Sequence, residues 1–426
     1  MGILRGGGFA ARPDSAWPSV YHLPSTLYHQ PLSNPLSLVP FALAAGGGRV
    51  DDLPAAGAVA AGFTLLQRST PLVRALAGRR SAILLPPGVP CLTALAASDG
   101  RGAVLLPPGA RPGQIAAQLD DADVGAVFTT RGLATLLPAG DRAVVLLDDA
   151  PRSATVMARG AETVVDLGSH FGLDLEGEED AGSDEECLIT YAAAEGQPVG
   201  AVFTHRNLLA LARGAVDATS ILKGDHVLAC TPPSDLAAFA LTFAGPLLAG
   251  ARVTSMPESD ADQALRLVER GEVTMLCGNA EFFASITSAL EARGTPLAVP
   301  TLRVTVCLGE MAAAALHERW HQWTGTELRQ AFGIPEAPLC LFNAPHFANR
   351  RGTLGIPFPG VHVAVRDAVS GAPVARGTAG KLWVRGDPTC SSYVGRTAGQ
   401  YAARDEWLPT HRLARERADG AYEPAD

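Results

Sequence analysis

Two stretches of this 426-residue chain carry side chains whose types and spacing could do chemistry. In His317-Glu318-Arg319-Trp320-His321 the histidines are four residues apart, hence on one helical face, where two imidazoles can bind zinc while the glutamate acts as base. Glu336 is available as a third ligand, so a zinc hydrolase is one candidate function. The opposing reading is a solvated helix surface, because alanine-rich helices that follow a parallel strand produce such five-residue matches by chance. The second stretch, residues 188 to 208 (LITYAAAEGQPVGAVFTHRNL), reads as strand, loop and helix start, with Thr204 placed as the cap. His205 just after it fits a packing role and a pocket role equally.

The elements that must position these residues follow from the apolar pattern. Hydrophobic residues make up 47% of the chain and charged residues 18%, which supports a large core and argues against disorder. The length fits two or three packed units. Residues 1–45, rich in Pro, Gly and Ser, predict a poorly ordered lead-in. Over 46–170, the apolar runs SAILLPP, GAVLLPP, VGAVFTT and AVVLLDD alternate with helical segments, the pattern of a parallel sheet covered on both faces. Residues 171–187 are an acidic linker, and 188–345 form a second α/β unit with HVLACTPP, ARVTSMP, EVTMLC and TLRVTVCLGE as strands. Residues 346–426 change character: VHVAVRD and KLWVRGD predict antiparallel strands in a small barrel-like subdomain.

Several function classes are disfavoured by the same composition. The formal charge of −9 comes almost wholly from the linker, whose eight carboxylates leave −1 for the remainder. With no Lys/Arg-rich stripe, nucleic acid is not an expected partner. The cysteines at 91, 187, 230, 277, 307, 340 and 390 form no CxxC pair and sit mostly in apolar runs, as buried thiols of a reducing compartment do. The start MGILRGGGFA has no apolar core of signal length, so a cytoplasmic protein is expected. Leu236 to Ala251, the most apolar stretch, is broken by Gly245 and Pro246 and is too short to span a bilayer. It predicts a core helix.

Residues 188 to 208 also resemble the nucleotide signature of the adenylate-forming ligases, the superfamily of acyl- and aryl-CoA synthetases, adenylation domains and luciferases. That pattern, roughly YTSGTTGxPKGVxxTHxNL, is matched at Gly196, Pro198, Gly200, Thr204, His205, Asn207 and Leu208. TLRVTVCLGEM resembles the strand and turn that floor the carboxylate and adenine pocket, with Gly309 and Glu310 in place. Ala331-Phe332-Gly333-Ile334-Pro335-Glu336 resembles YGxTE, which puts Phe332 against adenine and Glu336 on magnesium. GTLGIPFPGVHVAVRD and GKLWVRG follow two further segments, although Lys381 replaces the usual acid.

The resemblance covers about residues 45 to 422. It implies an α/β fold of two flavodoxin-like parallel-sheet subdomains plus a small distorted β-barrel, with ATP or AMP and Mg as cofactors and CoA as a further ligand. The implied substrate is a carboxylic acid, activated as an acyl-adenylate. Gly196, Gly200, Thr204, Gly309, Glu310, Phe332, Gly333 and Arg412 would meet the cofactor, while His205, Asp235 and Phe239 would line the acid pocket, with Ser234 and Asp235 where many relatives have an aromatic or a histidine.

Departures from the pattern gather on the charged groups. Tyr191-Ala192-Ala193-Ala194-Glu195 lacks the hydroxyls and the mobile glycine of a phosphate loop, and Val199 takes the lysine position. Glu195 places a carboxylate where phosphate would lie; at about 5 Å and an effective dielectric near 20 that repulsion is roughly 3 kcal/mol, or about a hundredfold in affinity. Pro335 replaces the threonine of YGxTE and brings neither hydroxyl nor backbone N–H. Arg412 replaces the aspartate that accepts from the ribose hydroxyls and has donors only. The catalytic lysine belongs to a mobile C-terminal domain that has no counterpart up to Asp426. The expectation is therefore a ligase-like chain of impaired catalysis that serves as a binding or partner subunit. The alternative is an active ligase whose lid domain is supplied in trans.

Overall fold

The computed structural model describes residues 38–98, 102–147, 152–168, 184–191, 199–256, 260–297, 299–395 and 407–425. Two nine-stranded sheets and one four-stranded sheet organise them. In the first, the expected runs become Arg80–Leu84, Ala103–Leu105, Val124–Thr129 and Ala143–Leu147, all parallel, with Glu186–Tyr191 parallel at their side. In the second, Leu328–Ile334, Val304–Cys307, Met275–Gly278, His226–Ala229, Arg252–Ser255 and Arg49–Val50 run parallel in that spatial order. Antiparallel strands extend both flanks of each sheet. Such continuous apolar runs belong in sheets buried on both faces, and helices cover both faces here.

The chain does not divide between the sheets where the apolar pattern places the boundary. Glu186–Tyr191, whose first two residues were expected in the linker and the rest in the second unit, and Gly200–Thr204, also expected in the second unit, lie in the first sheet, where Ser392–Val394 pairs onto Gly200–Thr204. Conversely Arg49–Val50 pairs with Arg252–Ser255 in the second sheet. The proposed lead-in also needs correction at its end, because Val39–Ala45 is a helix with Val39 to Ala44 buried. Its apolar VPFALAA run gives it a place in the core that the surrounding Pro and Gly conceal.

The largest buried cluster joins the inner faces of both sheets through the helices between them, including Ala55–Arg68, Val89–Ala97 and His205–Thr219. Two smaller clusters sit under the outer helices. Gly62 is required at the crossing of the first two helices, since a Cβ there would overlap the Thr93 carbonyl. Leu236 to Leu248 is the expected core helix, interrupted by a π turn over Ala240–Ala244. The turn lies just before Pro246, which has no N–H for the helical ladder. No helix of the described residues is long and apolar enough to cross a membrane.

The last section is the antiparallel sheet Val361–Arg366, Gly380–Gly386, Leu408–Glu416 and Tyr422–Pro424. Its period-two alternation puts Val361, Val365, Leu382 and Val384 inward. Six of the cysteines are buried, Cys390 is half-buried, and all seven are free. Burial pushes the thiols of Cys91, Cys307 and Cys340 up to about 12, which leaves them protonated and unreactive.

Candidate functional site

From His226–Ala229 the second sheet grows first to one side, onto Arg252–Ser255, and then to the other, onto Met275–Gly278. The connections part there and leave a crevice beyond the carboxyl ends of the strands, the place where such sheets bind ligands. Two adjoining cavities fill it. One, of about 460 Å³, is lined by Thr231, Pro232, Asn279, Glu281, Phe282 and Glu310 among others. The other, of about 220 Å³, is lined by Thr190, Tyr191, Ser234, Gly333, Pro335 and Pro338 among others. Asp235, Leu308 and Gly309 border both.

Each border residue is held by local structure. Gly309 follows the strand Val304–Cys307 and turns the chain at a φ of 81°, a conformation that side chains resist. Asp235 caps the helix that begins at Leu236, its Oδ1 accepting from the Ala238 N–H at 3.0 Å, and its side chain opens onto the cavities. The protein around it pushes its carboxyl above the usual range, while the N–H groups of Ala238 and Ala237 pull it back. Gly333 packs so closely that a Cβ would overlap the Pro338 carbonyl. Tyr191 reaches in from the first sheet, its hydroxyl donating to Asp121 Oδ2 at 3.1 Å. The Thr190 hydroxyl is buried in the same wall with no hydrogen-bond partner among the described residues.

Charge at this site is one-sided. Among the described residues the linings hold Asp235, Glu281 and Glu310 and no Lys, Arg or His. Glu310 faces one cation outside the lining, Arg412, whose Nη1 lies 3.7 Å from Glu310 Oε2, with the glutamate side chain 92% exposed. The Arg412 backbone N–H donates to Thr410 Oγ1 at 3.2 Å, and its Nε is buried without a partner among the described residues.

Asp235, Gly309, Glu310 and Gly333 thus share the crevice, with Arg412 at its edge. Others implied by the sequence lie elsewhere. Thr204 accepts from the Asn207 N–H at 3.2 Å, and the Asn207 amide donates to the Asp387 carbonyl at 2.9 Å, a cap that ties the helix to the four-stranded sheet. His205 is 2% exposed and accepts from the Val39 N–H at 3.1 Å; burial lowers its pKa to about 4. Phe239 is core, stacked on Phe243 with ring centroids 5.4 Å apart. Gly200 lets Val394, Ile189 and Tyr191 close around its strand. Phe332 packs against the main cluster while its neighbours Ala331 and Gly333 line the cavity. Gly196 and the run Ala192 to Glu195 lie outside the described residues.

Glu336 occupies the tight turn between Leu328–Ile334 and Ala337–Phe342, where its carbonyl accepts from the Cys390 N–H at 2.7 Å. Its carboxyl lines neither cavity. Among the described residues no group of three His, Cys, Asp or Glu could hold a metal ion. In the HExxH helix, Ala314–Thr324, His317 is buried with its Nδ1 3.0 Å from the Leu328 carbonyl, whereas His321 faces Glu327 at the surface. Trp320 between them is fully buried, edge-on to Phe283 at 4.9 Å and donating to Thr326. The motif is a helix packing its His317 and Trp320 side onto the sheet.

The residues that sequence reasoning missed are those just past strand ends: Thr231 and Pro232 after His226–Ala229, and Asn279 and Glu281 after Met275–Gly278. Their signal was the abrupt change from an apolar run to turn and cap residues, TPPSD and GNAE.

The family model described as AMP-binding enzyme matches residues 74–394. Novobiocin biosynthesis protein H of Streptomyces niveus is 30% identical over 321 residues, which cover 72% of this chain and 50% of that protein. A feruloyl-CoA synthase of an Amycolatopsis species is 28% identical over 251 residues, covering 58% and 50%. The chain spans about half the length of the curated relatives it matches. In fold it is similar to the N-terminal domain of FACL13 from Mycobacterium tuberculosis, with a TM-score of 0.75 at 19% identity, covering 91% of this chain and 100% of that one.

Proposed function

The chain belongs to the AMP-binding enzyme family, and on that premise we propose that it is an acyl- or aryl-acid ligase-like protein of impaired catalysis, acting as a binding or partner subunit. The observation that carries this reading is the charge of the crevice: among the described residues three carboxylates line it, and no cation does. A triphosphate entering there would meet repulsion of roughly 3 kcal/mol per carboxylate at about 5 Å and an effective dielectric near 20, less at the exposed Glu310. In relatives of this kind the acid's carboxylate attacks the α-phosphate, and positioning with charge neutralisation does most of the work. The donors needed for that are scarce here. Pro335 supplies no N–H, Arg412 is turned toward Glu310, and residues 192–195 offer no hydroxyl.

The donor set therefore does not fit Mg-ATP. The smaller cavity, walled by Leu308, Ala331, Ile334 and Leu339 with hydroxyls at Thr190, Tyr191 and Ser234, fits a largely uncharged ring or acyl group better. Calorimetry with ATP, AMP and CoA, together with acid-dependent pyrophosphate exchange, tests the reading. Expected are no exchange above background and ATP binding weaker than millimolar. A micromolar ATP affinity or measurable exchange would overturn it.

The Thr190 hydroxyl, without a partner among the described residues, favours one second reading, an active ligase in which a separate domain completes the site. Acyl-CoA formation on adding such a domain would decide for it.

A further inference from the structure

The four-stranded sheet has an outer face whose chemistry the crevice does not use. With Val361, Val365, Leu382 and Val384 turned inward, alternation turns His362, Arg366, Lys381, Trp383 and Arg385 outward. In the register of the two strands Arg366 stands directly opposite Lys381, and His362 opposite Arg385. Like charges facing each other across a strand pair are destabilising, so a fold selected for stability alone would avoid them.

The arginines are also held in place. The Arg366 guanidinium stacks at 5.2 Å on Trp383 and 4.8 Å on Trp407, and Arg385 stacks at 4.8 Å on Trp407. Such stacking fixes the cation without neutralising it. Among the described residues none of Arg366, Lys381 and Arg385 forms an ion pair, and the Nε atoms of both arginines are buried without a hydrogen-bond partner.

We propose that this face is a docking surface for an acidic peptide segment of a partner protein, gripped by Arg366, Lys381 and Arg385. The inference does not depend on what the crevice binds. Complementary charge is its basis, since the face offers a row of oriented donors, and the acid at its far edge, Glu423, already faces Arg415 at 3.7 Å. A nucleic acid fits less well. The tryptophan rings are already engaged by guanidinium groups and leave little free platform for bases. Three cations also neutralise few phosphates, and the chain as a whole carries −9.

The probe is a fluorescein-labelled ten-residue peptide of alternating Glu and Gly, followed by anisotropy against the full chain at low salt. Binding is expected, weakening about tenfold between roughly 50 and 200 mM salt as screening grows. Arg366→Glu with Arg385→Glu should weaken it at least tenfold, Lys381→Ala about threefold, and Arg74→Ala, on an exposed helix of the other sheet, not at all. Circular dichroism melts establish folding; should the double variant fail to fold, Lys381→Glu alone carries the test with an expected fivefold loss or more. The proposal is overturned if the wild type does not bind, if folded charge-reversed protein binds as well, or if a single-stranded oligonucleotide of equal charge binds more tightly. It is overturned too if replacing Asp174, Glu176, Glu178, Glu179 and Asp180 by Ser raises peptide affinity tenfold, because the occupant would then be the chain itself.

Discussion

The two nine-stranded sheets are built alike, each with a parallel core between antiparallel flanks, yet they spend their polar residues at opposite ends. In the second, the carboxyl ends of the strands open into the crevice around Asp235 and Gly309, and its carboxylates there are unmatched by cations of the wall among the described residues. In the first, a cavity of about 290 Å³ lies at the amino end of Arg80–Leu84 and is lined by ion pairs, Arg79 with Asp123 at 3.0 Å and Arg80 with Glu186 at 2.8 Å. Matched charge closes a surface, and unmatched charge leaves one that something else can answer. Architecture alone does not say which sheet carries function; the distribution of partners does.

Changes that cut into backbone should separate the sheets most clearly. Gly333→Ala drives a Cβ into the Pro338 carbonyl, and Gly125→Ala drives one into the Ala75 carbonyl of the first half. Both should cost about 3 kcal/mol in denaturant unfolding. Only Gly333→Ala should also alter calorimetric binding of AMP or CoA; equal effects from both would break the distinction.

His205 probes the layer between the sheets. Its folded pKa of about 4 lies below the usual 6.5, so the folded state binds fewer protons and stability rises with pH. That contribution is complete above about 6.5 and is lost as pH falls toward 4, about 3 kcal/mol in all. Unfolding free energies at pH 7.5 and 5 should therefore differ more for wild type than for His205→Gln. An unchanged difference would mean that another group sets the slope.

Arg80→Ala removes a half-exposed bidentate pair and should cost about 1 kcal/mol with no change in ligand binding. Glu310→Gln should do the reverse, leaving stability alone while raising ATP affinity by about threefold, a small gain because this carboxylate is so exposed. Loss of affinity in that variant would show Glu310 to be a ligand contact and would sharpen the contrast in the other direction.

Most of the fold was legible because parallel strands announce themselves: SAILLPP, VGAVFTT and TLRVTVCLGE are continuous apolar runs ending in turn residues. Which sheet an antiparallel strand joins was not legible, since Gly200–Thr204 is buried along its whole length and an apolar run by itself names no neighbour. At the site, Gly309, Glu310 and Asp235 could be found from their turns and caps. Phe332 illustrates why others could not. Its strand shifts register between Phe332 and Ile334, so simple alternation no longer tells which side a residue faces. His205 had two readings on paper, and only the position of the Val39 N–H separates them.

The exchange of edge strands between the sheets bears on how the chain is made. Arg49 cannot meet Arg252, its partner in register, until some 200 further residues have left the ribosome, which at about 5–20 residues per second is a wait of roughly 10–40 s. During synthesis the early part of the chain must be sheltered, and cutting the gene between its two halves would strand an orphan edge on each fragment.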